Sequence, residues 1–307
     1  MILKNTKNIL TAALLIVIGN SAHAQQEPQF TQYMYNPISI NPAYAGSREA
    51  LSIHGQYRTQ WVGMEGAPST ANLSIHTPLT GSKVGVGFSF TNDQLGAMSD
   101  NTVAADVSYT IDVSRNYKLA FGIKVSANLL NVDYNKLTIE DPTEVGANIE
   151  NQFTPNIGAG LYLYSDKTYF GLSAPMFLES DRYEDNTRAT MKQDMHFYAT
   201  AGHVFDLSRD VKFKPAFITK VVSGAPLELD VTANFLLYDK LTLGAAYRLD
   251  AAVSGLIGYQ VSNQLFIGYS YDSDTQKLAR YNNGSHEFFM RFELFKRHNR
   301  YVSPRFF

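Results

Sequence analysis

Three consecutive residues, Ser285-His286-Glu287, supply the nucleophile, base and carboxylate types of a hydrolytic triad and are the first place to look for chemistry. They open an alternating stretch that predicts a β-strand, so neighbouring side chains leave by opposite faces and cannot converge on one substrate atom. Asp272 and Asp274, with Thr275, offer oxygen ligands to calcium. Their spacing lacks the remaining ligands of a calcium loop and reads as a solvated loop. There is no Gly-x-Ser-x-Gly elbow, His-Glu-x-x-His pair, phosphate-binding loop or dinucleotide fingerprint. The absence of cysteine removes a lipid-modified cysteine, disulfides and thiolate metal sites. The expectation is a protein that is not an enzyme and uses no metal and no cofactor.

What remains is a set of charged residues whose meaning depends on the elements that carry them. Period-two alternation recurs from residue 51 to 295 without a helical stretch. It predicts fourteen strands, near 51–61, 69–77, 83–91, 102–112, 117–131, 153–164, 167–174, 195–206, 211–220, 226–238, 240–250, 252–261, 263–272 and 285–295. Val103, Ala105, Val107, Tyr109 and Ile111 alternate with Thr102, Ala104, Asp106, Ser108 and Thr110. Leu119, Phe121, Ile123 and Val125 do so with Lys118, Gly122, Lys124 and Ser126. One face is greasy, and the other is small or polar.

In that frame Arg58, Asp106, Lys124, Lys212, Lys214, Glu228, Asp230, Arg248, Glu287, Arg291 and Glu293 share the face opposite the apolar one, together with His54 and His76. A lysine or arginine facing lipid at mid-membrane costs about 2–4 kcal/mol, so a lipid boundary would select this segregation. His203 shares a face with Ala201 and Phe205 and is expected at the periplasmic rim. The charges are mixed in sign, six basic and five acidic, which favours internal pairing over an ion-selective field.

Residues 1–24 read as an export signal, with Lys4 and Lys7 before the apolar run Ile9–Ile18 and a small-x-small site at Ala22-His23-Ala24. No later run reaches the roughly 20 apolar residues of a spanning helix. A charged fraction of 18%, against about 25% in soluble proteins, and a net charge of −2 argue against a nucleic-acid partner and against a fully solvated surface. Short turns at 77–83, 112–116, 165–166, 206–210, 238–240 and 262–263 alternate with longer polar connections at 91–101, 132–152, 175–194 and 273–284. This is the layout of a transmembrane antiparallel β-barrel in the outer membrane, with both termini periplasmic. A soluble sandwich, propeller or lipocalin-like barrel shares the period but turns its apolar face inward. Only a closed barrel lets strands cross lipid with every backbone group paired, and Phe307 matches the terminal aromatic that serves as a barrel assembly signal.

Aromatic girdles are expected from Tyr109, Tyr164, Phe205, Tyr238, Tyr247 and Tyr271, with Trp61 at the end of the first strand. The barrel proper covers 51–295, with a basic tail at 296–307. Fourteen strands enclose a lumen that wall side chains alone do not readily fill. Segment 25–50 can fill it as a plug, or it can form a periplasmic lip outside.

That segment reads Pro28-Gln29-Phe30-Thr31-Gln32-Tyr33-Met34-Tyr35-Asn36-Pro37, then Ile40-Asn41-Pro42-Ala43-Tyr44-Ala45-Gly46-Ser47, and it closely resembles the N-terminal signature of the PorP/SprF family. The ending Ser303-Pro304-Arg305-Phe306-Phe307 is similar to that family's terminus. The resemblance implies an outer-membrane component of the type IX secretion system and gliding apparatus of Bacteroidota. Its implied partner is a secreted cargo, often the C-terminal domain of a surface adhesin that it anchors. Other implied partners are periplasmic lipoproteins of the machinery and outer-membrane lipid. The long loops 132–152 and 175–194, with Asp141-Pro142, Asp181, Asp185 and Arg188, are candidate docking surfaces. The architecture is also similar to fatty-acid transporters, so uptake of a hydrophobic small molecule through a mobile N-terminal hatch is the alternative. Pro37 and Pro42 fix φ and push Asn36 and Asn41 toward extended backbone, so the signature is expected to be bent and non-helical.

Overall fold

A computed structural model describes residues 31, 33–136, 148–185, 189–193, 195–222, 225–294, 303 and 305. The export signal at 1–24, Phe30, Gln32, Phe307, the middle of the 132–152 loop and Arg188 lie outside the described residues.

The predicted alternation becomes fourteen antiparallel strands: β1 Leu51–Thr59, β2 Ser69–Pro78, β3 Val84–Leu95, β4 Met98–Asp112, β5 Lys118–Val132, β6 Ile149–Tyr164, β7 Thr168–Ala174, β8 His196–His203, β9 Val211–Val222, β10 Glu228–Leu237, β11 Leu241–Arg248, β12 Ala252–Gln260, β13 Leu265–Asp274 and β14 Ser285–Leu294. Each pairs with the next, and β1 closes on β14 from Leu51↔Leu294 to Thr59↔His286. No edge is left open around the cylinder, the condition for strands to lie in lipid.

The burial pattern is inside out. Ile123 is 63% exposed and Val107 53%, whereas Glu287 is 0% and Lys214 1% exposed. On β5 the outward apolar row runs from Leu119 to Leu129. At about 3.3 Å per residue and a tilt of about 40°, that covers about 25 Å, the height of a lipid-facing band. Above it the outward positions turn into amides: Asn92 donates to Asn101 at 2.8 Å, Gln94 to Asn92 at 3.2 Å, and the Asn151 N–H donates to Asn131 at 2.8 Å.

Three sequence expectations need correction. Residues 91–101 are not a loop: β3 and β4 run on to Leu95↔Met98 and turn through Gly96, whose φ of +56° suits the first position of a two-residue hairpin. Their Asn and Asp side chains bond across the ladders: Asn92 donates to Asn101, Asp93 accepts from Thr70, and Asp100 accepts from Asn128. The connection after β7 contains its own hairpin, Ser180–Asp185 with Ala189–Gln193. Tyr164 does not join an outer girdle; it points inward and is buried. Tyr109, Phe205, Tyr238, Tyr247 and Tyr271 are exposed as expected. His203 bonds Thr168 at 2.7 Å beside the β6–β7 turn, at the short-turn end.

Candidate functional site: the lumen and its N-terminal insert

The described residues before β1, 31 and 33–50, lie inside the barrel, as the plug alternative requires and the lip does not. It makes three short 3-10 turns, Tyr33–Tyr35, Pro37–Ser39 and Pro42–Tyr44, with the two prolines at first-turn positions where no N–H is needed. Asn41 caps the third turn by accepting from the Ala43 N–H at 3.0 Å, and it donates to the Leu161 carbonyl at 2.9 Å. Asn36 donates to Asn72 at 2.7 Å and accepts from the Ser74 hydroxyl at 2.8 Å. The two Asn-Pro steps thus bend the chain and also fasten it to the wall. Of the signature residues, Tyr33, Asn36, Asn41, Pro42, Ala43, Tyr44 and Gly46 are buried, and Pro37 is half-buried.

Close approach is made possible by glycines on the inward face. A Cβ on Gly122 would collide with the Ala43 backbone, one on Gly160 with the Asn41 side chain, and one on Gly87 with Ile38. Opposite this bed Tyr35 enters an aromatic recess, 5.4 Å from Phe266 and 4.6 Å from Phe289, with the Arg291 guanidinium 4.9 Å from the Phe266 ring. Burial pushes the phenols of Tyr33 and Tyr35 upward, so both are neutral. Tyr44 meets His76 and Tyr162 edge-on at 5.4 Å each.

The inward charges hold the insert at several levels. Toward the long-loop end the Thr31 hydroxyl donates to Asp272 at 2.5 Å and accepts from Arg58 at 2.8 Å, while its N–H donates to Glu287 at 2.9 Å. Arg58 bridges Asp272 at 2.5 Å and Glu287 at 3.2 Å, and Gln56 donates to Glu287 at 2.7 Å. Midway, Lys124 pairs with Asp106 at 3.3 Å and donates to the Ile38 carbonyl at 3.1 Å. At the short-turn end Arg48 pairs with Glu293, which also lies 3.7 Å from Arg291.

The remaining predicted charges serve the rims. Arg248 grips Asp230 with bonds of 3.0 and 2.9 Å, Glu228 faces Lys220 across the ladder, and Lys212 pairs with Asp239 in a turn. Lys212 is therefore a rim residue, because its strand begins beside that turn. Lys214 is deep, 5.5 Å above the Tyr35 ring.

The solvated-loop reading of Asp272 is overturned in favour of the predicted strand 263–272: it belongs to β13, faces inward and is 2% exposed. Asp274 accepts from Asn282 at 2.9 Å. Ser285 and Glu287 are buried inward, and His286 bonds Tyr269 at 2.7 Å, so these three are not assembled. Among the described residues no group of three or more His, Cys, Asp or Glu is placed to hold a metal. Sequence reasoning missed Thr31, Arg48, Gln56, Asn72, Lys220 and Arg305. The readable signal was the recurrence of Gly122, Gly158, Gly160 and Gly171 at polar-face positions, where a wall needs room for a second chain segment.

The glycine bed makes a testable claim. Gly122→Val should displace the insert at a cost of about 1–3 kcal/mol, the range of overpacking. Trypsin cleavage at Arg48 in detergent-purified protein should accelerate. Gly255→Val, whose Cβ meets nothing within 4 Å, should leave it unchanged. Equal cleavage of the two variants would remove the glycines from the account.

A closed fourteen-stranded cylinder with lipid-facing apolar rows and a lumen occupied by its own N-terminal segment is a plugged outer-membrane-type β-barrel. A solved structure agrees on the fold. A CymD monoaromatic hydrocarbon channel aligns over 88% of this chain and 94% of that one at 12% identity, TM-score 0.51. A Pseudomonas aeruginosa FadL homologue covers 87% and 95% at 11% identity, TM-score 0.47, and a TodX deletion mutant covers 90% and 96% at 10% identity, TM-score 0.46. No curated protein matches the sequence. Residues 22–292 match the family described as type IX secretion system membrane protein PorP/SprF, and the chain belongs to that family.

Proposed function

We propose that this chain is a non-enzymatic outer-membrane barrel of the type IX secretion and gliding system that binds and anchors a secreted surface protein. The C-terminal domain of an adhesin is the class of cargo meant, with periplasmic components of the machinery as further partners. The observation that supports this most is the occupied lumen: the family's own signature fills it and is clamped near Arg58, Lys124 and Arg48. A barrel filled in this way offers its rim and loops for recognition, and loops on a rigid scaffold are where binding surfaces concentrate. Family membership supports the same reading.

Co-purification from native membranes after mild cross-linking tests it. A stoichiometric large surface protein is the expected result. Ligand uptake or single-channel conductance by the unpartnered barrel would instead favour transport of a hydrophobic small molecule through a mobile N-terminal hatch.

The reading also sets an orientation, with short turns and both termini in the periplasm. A protease site placed between Glu65 and Gly66, in the β1–β2 connection, should be cut on intact cells. The same site between Arg115 and Asn116, in the β4–β5 turn, should be cut only after the outer membrane is opened. The reverse result would invert the barrel.

A further inference from the structure

The short-turn mouth holds a second inserted element. Arg305, far beyond the last strand in sequence, is 6% exposed and lies among residues from three other parts of the chain. Its guanidinium carbon sits 4.3 Å over the Tyr164 ring, at cation–π distance. One guanidinium nitrogen donates to the Ser47 carbonyl at 2.8 Å and the other to the Ser165 carbonyl. Its backbone N–H donates to the Asp166 carbonyl at 3.1 Å, the same oxygen that accepts from the Ser303 hydroxyl at 2.6 Å. Lys214, from deep in the lumen, reaches the Arg305 carbonyl at 3.5 Å. The expected basic tail beyond the last strand is, at this residue, inserted into the mouth.

We propose that the short-turn mouth contains a guanidinium-binding site, built from the Tyr164 face and the Ser47 and Ser165 carbonyls, whose resident ligand is the chain's own Arg305. The Arg305 side chain is thereby a releasable stopper over the described part of the N-terminal insert. Two carbonyls diverging around an aromatic face match the planar fork of arginine and not the point charge of lysine. One of those carbonyls, that of Ser47, belongs to the N-terminal insert, so the site forms only when the insert is seated. Filling it ties the two ends of the chain together.

Room for release is present. A cavity of about 520 Å³ opens beside the site, lined by Arg48, Tyr164, Lys167, Ser303 and Arg305 among others. Ser47 lines the same cavity, and its buried hydroxyl has no hydrogen-bond partner among the described residues. That group is covered while Arg305 is in place.

The chain has no cysteine, so Ser47→Cys introduces a single reporter thiol in the full-length protein. In detergent-purified Ser47→Cys protein a charged thiol reagent should react slowly. Adding Arg305→Ala, which leaves Phe307 in place, should raise the rate roughly tenfold or more, the factor expected when hydrogen bonds from a charged donor are lost. Millimolar guanidinium chloride should restore protection, and potassium chloride at the same ionic strength should not. Arg305→Lys should label as fast as Arg305→Ala and respond to guanidinium in the same way; it also serves if the alanine variant does not fold. Unchanged labelling in the Arg305 variants overturns the stopper. Rescue by potassium, or full protection by lysine, overturns the guanidinium site.

Discussion

Arg58→Met is expected to destabilise the folded barrel by about 3–5 kcal/mol, the range seen when one member of a buried ion pair is removed. Arg58 is 2% exposed and is the cation between Asp272 and Glu287, themselves 2% and 0% exposed. Its loss removes the cation that sits between the two carboxylates, in a space that also holds Thr31 and Gln56. The same substitution unties Thr31, which accepts from Arg58. Two readouts should therefore move together. The temperature at which the folded, heat-modifiable band disappears on electrophoresis should fall, and the segment before β1 should become more sensitive to protease. Adding Asp272→Asn and Glu287→Gln to Arg58→Met removes the two carboxylate charges and should recover much of the melting temperature. An Arg58→Met protein that melts with the wild type would mean that the cluster is not the clamp described.

The second large effect lies on the other face. Ile123→Arg places a charge on the lipid-facing row of β5, at a cost of about 2–4 kcal/mol near mid-membrane. The adjacent Lys124 carries the same charge and is native because its side chain turns inward to Asp106. Asn131→Arg, on the same strand and face above the apolar row, is expected to cost about 0–1 kcal/mol, since the penalty fades toward the interface. The ratio of folded to unfolded band after insertion into bilayers measures both. Comparable yields for Ile123→Arg and Asn131→Arg would place water rather than lipid against β5. Inward positions are not neutral controls: Ser108 donates to the Ala45 carbonyl at 2.6 Å, so a larger residue there would strike the insert.

Much of this was readable without coordinates because a strand sends alternate side chains to opposite faces, and the lipid boundary acts on every strand alike. The strand count, the inward set from Arg58 to Glu293 and the outward rows follow from that one periodicity. It failed where a local signal had two meanings. Asn and Asp near residue 92 and residue 101 read as loop chemistry, yet they lie in paired strands and bond across the ladders. Asp272 read as part of a solvated loop for the same reason, yet it closes a cluster with Arg58, which lies more than two hundred residues earlier.

The amino-acid order by itself determined a closed, lipid-facing cylinder of fourteen strands and the two Asn-Pro bends before it, because alternation and proline geometry act over a few residues. Only the tertiary structure decided that the bent segment goes inside, that Gly122 and Gly160 make room for it, and that Arg305 returns to cover it. Those outcomes depend on which distant surfaces meet once the sheet has closed; the inward glycines mark where the wall has room, and only the closed sheet decides what occupies it.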